Sequence, residues 1–389
     1  MNDHRTELKI DKVTSIIPPG TDLNRAMLGM VRHPDGTIFM NTQDLGLYKG
    51  SDEGETWAHV PADLPDAPPP QKFKGLGVSS NGRVWLLHQS ISNKDLFVSY
   101  SADSGRTWKT TSINYANLAP GAPEEPYETS CNDYNTFFER PDGTMVVVVG
   151  LRYDEGDDHW NKYQLADLSR PGLRDVLIRS TDDGKSWGDP TLLHQHCNET
   201  SLAVDPDNPE RLLAMTRIQR MLMPGEDRAT VEKITGCKPG FEWPYKNGLL
   251  LESTDGGRSF HEVPGGLTVW YGHRGTILWA ERNVVVVTHA GGRPHAMHGD
   301  MRIDDRLVAR ISLDGGRTWA DGTEEGTPFI NKSKKFTLVG APPSRSFTAP
   351  TLELSPHHFL TVSAWWDDGM ESRAIDGIFW HLETPAEKA

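Results

Sequence analysis

Short runs of apolar and β-branched residues, broken by turn-forming residues, follow one another along all 389 residues of the chain. Many of them pair up as hairpins. MLGMVRHPDGTIFMNT (27–42), GLGVSSNGRVWLLHQ (75–89), TFFERPDGTMVVVVGLR (136–152), TSLAVDPDNPERLLAMTR (200–217) and GTILWAERNVVVVTHA (275–290) each place a tight turn between two strand-like runs. The PDG, NG and DPDN turns are strong local hairpin signals, and the runs are too short for buried helices. No run approaches the roughly 18 consecutive apolar residues that a membrane-spanning helix needs. The pattern predicts an all-β chain.

After each hairpin comes a connection of variable length and a third strand-like run, such as DVLIRS, GLLLES or LVARIS. That run ends in a repeated octapeptide: SADSGRTW (Ser101–Trp108), STDDGKSW (Ser180–Trp187), STDGGRSF (Ser253–Phe260), SLDGGRTW (Ser312–Trp319) and the degenerate GSDEGETW (Gly50–Trp57). The shared pattern is S-x-D-x-G-x-[ST]-[WF], with Gly50 where the first Ser should stand. It reads as a turn device. The Asp side chain bonds backbone N–H groups across the turn, the Gly takes φ > 0, and the aromatic packs on its neighbours.

One unit is thus strand, tight turn, strand, variable loop, strand, box, strand, and repeated four-stranded units are the mark of propeller blades. A sixth unit, FTAPTLELSPHHFLTVSAWW followed by AIDGIFWHL, has three strands and no box. The strand-like N-terminal segment LKIDKVTSII is the natural supplier of its fourth strand. The expected architecture is one domain over residues 1–389, a six-bladed β-propeller with blades at roughly 20–62, 70–112, 130–193, 197–264, 270–330 and 345–383, closed by the N-terminal strand at 7–17. Length alone suggests two or three domains at about 150 residues each; the repeats reduce this to one.

Composition adds exclusions. With 40 Lys+Arg against 54 Asp+Glu the formal charge is −14, and no lysine-rich stripe is present, which argues against a nucleic-acid or membrane partner. The N-terminus lacks the apolar core of an export signal, so the chain reads as cytoplasmic. Cys131, Cys197 and Cys237 are odd in number and have no CxxC spacing, as expected of reduced structural thiols. No cofactor is expected. No metal is expected either, because the His289–His298 spacing matches no known ligand set. The sequence leaves the oligomeric state open.

The octapeptides resemble the Asp-box (BNR) repeats of the sialidase superfamily of six-bladed propellers, over essentially the whole chain. That resemblance implies a glycosidase that binds a carboxylate-bearing sugar through an arginine triad. Matched position by position, the first arginine falls at Arg25 in Asn24-Arg25-Ala26-Met27-Leu28. The family's Asn-Glu pair and following arginine fall at Asn198-Glu199 and Arg217, and the third arginine at Arg274 in YGHRGT. The family's catalytic Asp has Asp44 as its nearest counterpart. One position departs: where the family's nucleophilic tyrosine opens the last blade, this chain reads Ser344-Arg345-Ser346-Phe347-Thr348.

The residues themselves point to the same edge of the molecule. First strands begin and second strands end opposite the tight turns, and the long connections 111–130, 152–174, 217–247 and 290–306 all lie on that edge. Elaborated loops on a rigid scaffold are where function concentrates. Lining that edge are the expected substrate-binding residues Arg25, Asn135, Arg152, Arg217, Arg274, Arg293, Arg345 and Trp365, with Asp44, Glu199, His273 and His289 as candidate catalysts. Converging guanidinium groups suit bidentate capture of a carboxylate, so an anionic carbohydrate is the expected substrate. Three functions remain open. Glu199 and Asp44 form the carboxylate pair of a hydrolase, or His273 or His289 is the base of a uronate lyase with Arg217 or Arg274 neutralising the enolate, or the propeller binds glycan or protein without turnover.

Overall fold

The computed structural model describes residues 6–18, 28–42, 46–65, 67, 71–90, 95–114, 118, 128–129, 135–152, 173–194, 196–218, 220, 222–235, 237, 239–240, 244–263, 268–269, 275–290, 307–319, 334, 336–340, 344–345, 349–366 and 373–383. Among them the chain is almost entirely β, with one α-helix. β1 (Glu7–Ile17) opens it. The first unit is β2 (Leu28–Arg32), β3 (Ile38–Thr42), β4 (Gly46–Ser51) and β5 (Thr56–Val60), and the second β6 (Gln71–Val78), β7 (Val84–Ser90), β8 (Leu96–Ser101) and β9 (Lys109–Ile113). A short β10 (Glu128–Thr129) precedes the third: β11 (Asn135–Glu139), β12 (Met145–Arg152), β13 (Leu173–Ser180) and β14 (Gly188–Leu192). The fourth is β15 (Cys197–Val204), β16 (Leu212–Ile218), helix α1 (Arg228–Thr235), β17 (Gly248–Ser253) and β18 (His261–Glu262), followed by β19 (Thr268–Val269). The fifth is β20 (Thr276–Trp279), β21 (Val285–Ala290), β22 (Leu307–Ser312) and β23 (Phe336–Val339). The sixth is β24 (Ser344–Arg345), β25 (Thr351–Ser355), β26 (His358–Trp366) and β27 (Arg373–Glu383). β24 and β25 both pair with β26, and β1 lies antiparallel to β27 from Glu7↔Glu383 to Ile17↔Ile375, so the N-terminal segment supplies this unit's outermost strand.

The octapeptide turns have one geometry. In the second unit Ser101 Oγ accepts from the Gly105 N–H at 2.7 Å and donates to Asp103, whose carboxylate accepts the Arg106 and Thr107 N–H groups and the Thr107 hydroxyl. Equivalent bonds recur around Asp182, Asp255 and Asp314. These bonds, the Thr107 N–H first, hold the Asp103 carboxyl down at about 2, and the Ser186 hydroxyl leads in doing the same for Asp182. Both the fourth and fifth positions have positive φ, for example Ser104 at 58° and Gly105 at 91°.

The sequence does not reveal a second use of the fifth-position glycine. A Cβ on Gly184 would meet the Trp85 ring at 2.6 Å, and one on Gly316 would meet Leu213 at 2.7 Å. In each case the obstacle belongs to the preceding unit. The box aromatics obey the same rule. Trp108 packs with Phe39 and Leu47 between the first two units, Trp187 with Trp85 and Val147 between the next two, and Phe260 against Leu177. Trp319 sits beside Leu213 and Val285, and Trp57 lies against Met40 and Leu360 of the first and sixth units. The fifth–sixth seam, which has no box, is filled instead by Trp380 stacked on Phe359 at 4.4 Å.

Polar bonds cross the same seams at the turn edge. His33 Nε2 lies 2.8 Å from the Gly82 carbonyl, and the Ser80 N–H donates to Glu139 at 2.5 Å. Arg140 donates to the Gly256 carbonyl at 2.6 Å, and Arg211 covers Trp279 at 4.7 Å. The Glu281 N–H donates to Glu353 at 2.7 Å, and Arg32 donates to the Leu354 carbonyl of the sixth unit at 2.8 Å. First strands of all six units line one cavity of about 280 Å³, through residues such as Met30, Val78, Phe137, Ser201, Thr276 and Leu352. One feature was not anticipated: β11 pairs in parallel with β6, fusing the second and third units into one sheet. Gly77 permits it, since a Cβ there would collide with Phe137.

Candidate functional site

The register confirms which edge carries the elaborations. Arg152 pairs with Leu173, Arg217 with Gly248 and Ala290 with Leu307, so three long connections leave and return opposite the tight turns. Of the residues expected there, Arg25, Asp44, His273, Arg274 and Arg293 lie outside the described residues. Asn135 begins β11, Arg152 ends β12, and Arg345 pairs with Trp365 across β24 and β26, all by backbone position. Trp365 is half-buried.

What the structure does assemble is the start of the fourth unit. Asn198 stands opposite Arg217 in the β15–β16 ladder, which then loses register until Ser201 meets Met215. Two residues, Glu199 and Thr200, therefore share the place opposite Thr216, a bulge that re-aims the first of them. Glu199 adopts φ of 60°. For a non-glycine residue that conformation costs about 1–3 kcal/mol and persists only where its surroundings impose it. Its carboxylate is paired with Arg217 at 2.7 Å, and Arg217 Nε donates to Asn198 Oδ1 at 3.2 Å. The Glu199 side chain is 0% exposed and that of Arg217 6%. Burying such a pair is costly, and removing one partner of it costs about 3–5 kcal/mol.

Beside this pair, and elsewhere on the same edge, are residues for which the sequence offered only faint signals. Asp175, inside the apolar third strand of the preceding unit, accepts the Thr200 N–H at 3.1 Å and the Thr200 hydroxyl at 2.5 Å. Arg310, in another apolar third strand, donates from Nε to His289 Nε2 at 3.1 Å, with both side chains buried. An arginine only donates, so His289 keeps its proton on Nδ1. The one readable clue to Asp175 and Arg310 was a charged residue amid DVLIRS and LVARIS. His196, just ahead of the pair, is also left-handed, with φ of 59°. Burial, helped by Arg220, His194 and Arg174, pushes its pKa down to about 4. Cys197 between them is fully buried, and burial drives its thiol pKa upward, so it is an inert core thiol.

The 217–247 connection is a folded strap. Arg220 and Tyr245 bridge at its neck, with the guanidinium 3.6 Å from the ring centroid. Glu226 accepts both Arg220 nitrogens at 2.8 Å, the Met223 N–H at 2.6 Å and the Tyr245 hydroxyl at 2.9 Å. The Arg220 bonds foremost hold the Glu226 carboxyl down at about 2. Asp227 caps α1 by accepting the Thr230 N–H at 2.9 Å, and Val231 and Tyr245 join the buried cluster that contains Cys197 and Leu193. The strap thus closes the third–fourth seam beside Glu199. Among the described residues no group of three or more His, Cys, Asp or Glu side chains is arranged to hold a metal ion.

No protein-family model matches the chain, and no curated protein matches it. Solved structures do. The chain is similar to a protein of unknown function from Dyadobacter fermentans at 14% identity, covering 97% of this chain and 99% of that one with a TM-score of 0.60. It is similar to a Hadza microbial sialidase at 13% identity, covering 96% and 68% with a TM-score of 0.59. It is also similar to the α-L-arabinofuranosidase of Fusarium graminearum, solved with an iminosugar inhibitor, at 12% identity, covering 95% and 97% with a TM-score of 0.58. At such identities the likeness is one of fold.

Proposed function

We propose that the chain is a single-domain, six-bladed Asp-box propeller and a carbohydrate-active enzyme, a glycoside hydrolase whose centre is Asn198, Glu199 and Arg217. The ring is supported by hydrophobic seams between all successive units, including sixth to first, and by the shared central cavity. Two of the proteins sharing the fold are glycosidases by name. The observation that carries the reading is Glu199 itself: a buried carboxylate in a left-handed conformation, held 2.7 Å from an arginine at the elaborated edge. Backbone strain and a buried ion pair are both expensive, and they coincide where loops gather.

In this reading Arg217 holds an anionic oxygen of the sugar with Arg25 and Arg274, and Glu199 acts with Asp44 as the carboxylate pair. One carboxyl protonates the leaving oxygen while the other receives the proton of the attacking water. His289, with Nε2 occupied by Arg310, suits a hydrogen-bond donor better than a base, which leaves His273 as the base of the lyase alternative.

One observation favours a second reading. Glu199 is enclosed, so a propeller that binds glycan without turnover would need it only as the counter-ion of Arg217. Turnover of 4-methylumbelliferyl α-sialoside, α-L-arabinofuranoside and β-glucuronide, together with the absorbance of unsaturated uronates from a polyuronate, separates the readings. Fluorescence release abolished by Glu199→Gln supports the hydrolase, and absorbance growth marks the lyase. No product from any substrate, with glycan binding retained, leaves the binding propeller.

A further inference from the structure

We infer that Asp175 is a positioning residue for the Glu199–Arg217 pair, acting from the neighbouring unit through the bulge in β15. The inference rests on the reading of that pair as the group that handles substrate. The bulge turns the Thr200 N–H out of the β15–β16 ladder, and a buried backbone donor must be satisfied elsewhere. Asp175 satisfies it. Its carboxylate takes the Thr200 N–H at 3.1 Å and the Thr200 hydroxyl at 2.5 Å, and that hydroxyl lies 2.7 Å from Thr216 Oγ1, the residue the bulge straddles.

Asp175 is 0% exposed in a strand whose next residues are Val176, Leu177 and Ile178, where an apolar side chain would be the ordinary choice. A carboxylate there is retained against its desolvation cost, and the Thr200 N–H and hydroxyl on the bulge help to offset that cost. The Asp175 backbone is tied in turn to the end of its own unit, where its carbonyl accepts the Leu193 N–H at 3.1 Å. The left-handed Glu199 is therefore gripped from both sides: Asn198 through its bond to Arg217, and Thr200 through Asp175. The seam between two units sets the aim of the central carboxylate.

The test compares Asp175→Ala, the conservative Asp175→Asn, and Thr200→Val as a size-matched variant that avoids emptying the seam. In crystal structures of Asp175→Ala or Thr200→Val, Glu199 is expected to leave its positive φ and its pair with Arg217 to open. Asp175→Asn, which keeps an oxygen acceptor, is expected to hold both. With the glycoside that the unmodified protein turns over, kcat should fall about 10-fold or more with KM nearly unchanged, and Asp175→Asn should recover much of it. A folded Asp175→Ala or Thr200→Val protein that keeps the Glu199 conformation and the ion pair overturns the inference. Full activity in Glu199→Gln overturns instead the reading of the pair as the active centre, while the crystal structures still decide whether Asp175 aims it.

Discussion

At the turn edge, four octapeptides repeat the same hydrogen bonds around Asp103, Asp182, Asp255 and Asp314, and every seam has a comparable bridge. At the opposite edge the described residues share a Thr–Thr pair in the fourth, fifth and sixth units but differ in their buried polar groups. The second buries His88 against Ser99, the fourth carries a strained Glu199 paired with Arg217, and the fifth pairs His289 with Arg310. Repetition serves a task every unit shares, packing on its neighbour. A left-handed carboxylate paired with a buried arginine, which among the described residues only the fourth unit shows, is the kind of strained feature a specialised site requires.

The contrast between the two edges disappears if the fourth unit's edge proves ordinary. Glu199→Gln should lower kcat about 100-fold or more on the glycoside turned over, and Arg217→Met should destabilise the fold by about 3–5 kcal/mol in urea by stranding Glu199. Unchanged values in both would reduce the edge to surface. Next in size is the packing role of the box glycine. Gly184→Ala should cost about 3 kcal/mol because a Cβ drives into Trp85 at 2.6 Å in addition to straining φ of 82°. Gly143→Ala, with φ of 84° and nothing within 4 Å, should cost only about 1 kcal/mol. Equal losses in urea titrations would show that turn conformation alone matters.

The two edges should also separate by pH. Burial lowers His88 to about 3 and His196 to about 4, so the unfolded chain takes up protons first and stability falls as pH drops below 6.5 toward those values. The box carboxylates at about 2 contribute stability that is complete above 3.8 and lost only as pH falls through about 2. Urea midpoints should thus decline in two windows, and His88→Phe should flatten the upper one alone. Smallest is Ser104→Gly, which relieves a positive φ of 58° and should shift stability by less than about 1 kcal/mol in either direction.

Much of this was legible in residues such as Asp103, Gly105 and Trp108, because hairpin and box chemistry is local: each bond joins residues within a few positions. The partner strand of the sixth unit was equally readable, since an unmatched strand pattern at the N-terminus had one vacancy to fill. Among the expected site residues, Asn198, Glu199 and Arg217 come together because two facing strands hold them in register. The bulge that turns Glu199 and the parallel pairing of β11 on β6 had no local signature, and Asp175 on Thr200 and Arg310 behind His289 had only a lone charge in an apolar run. Sequence alone determined the strand pattern, the repeat and the turn chemistry, which are set by near neighbours. Tertiary structure decided which glycines face the next sheet and which charges are buried together, because those depend on residues from different units meeting across a seam.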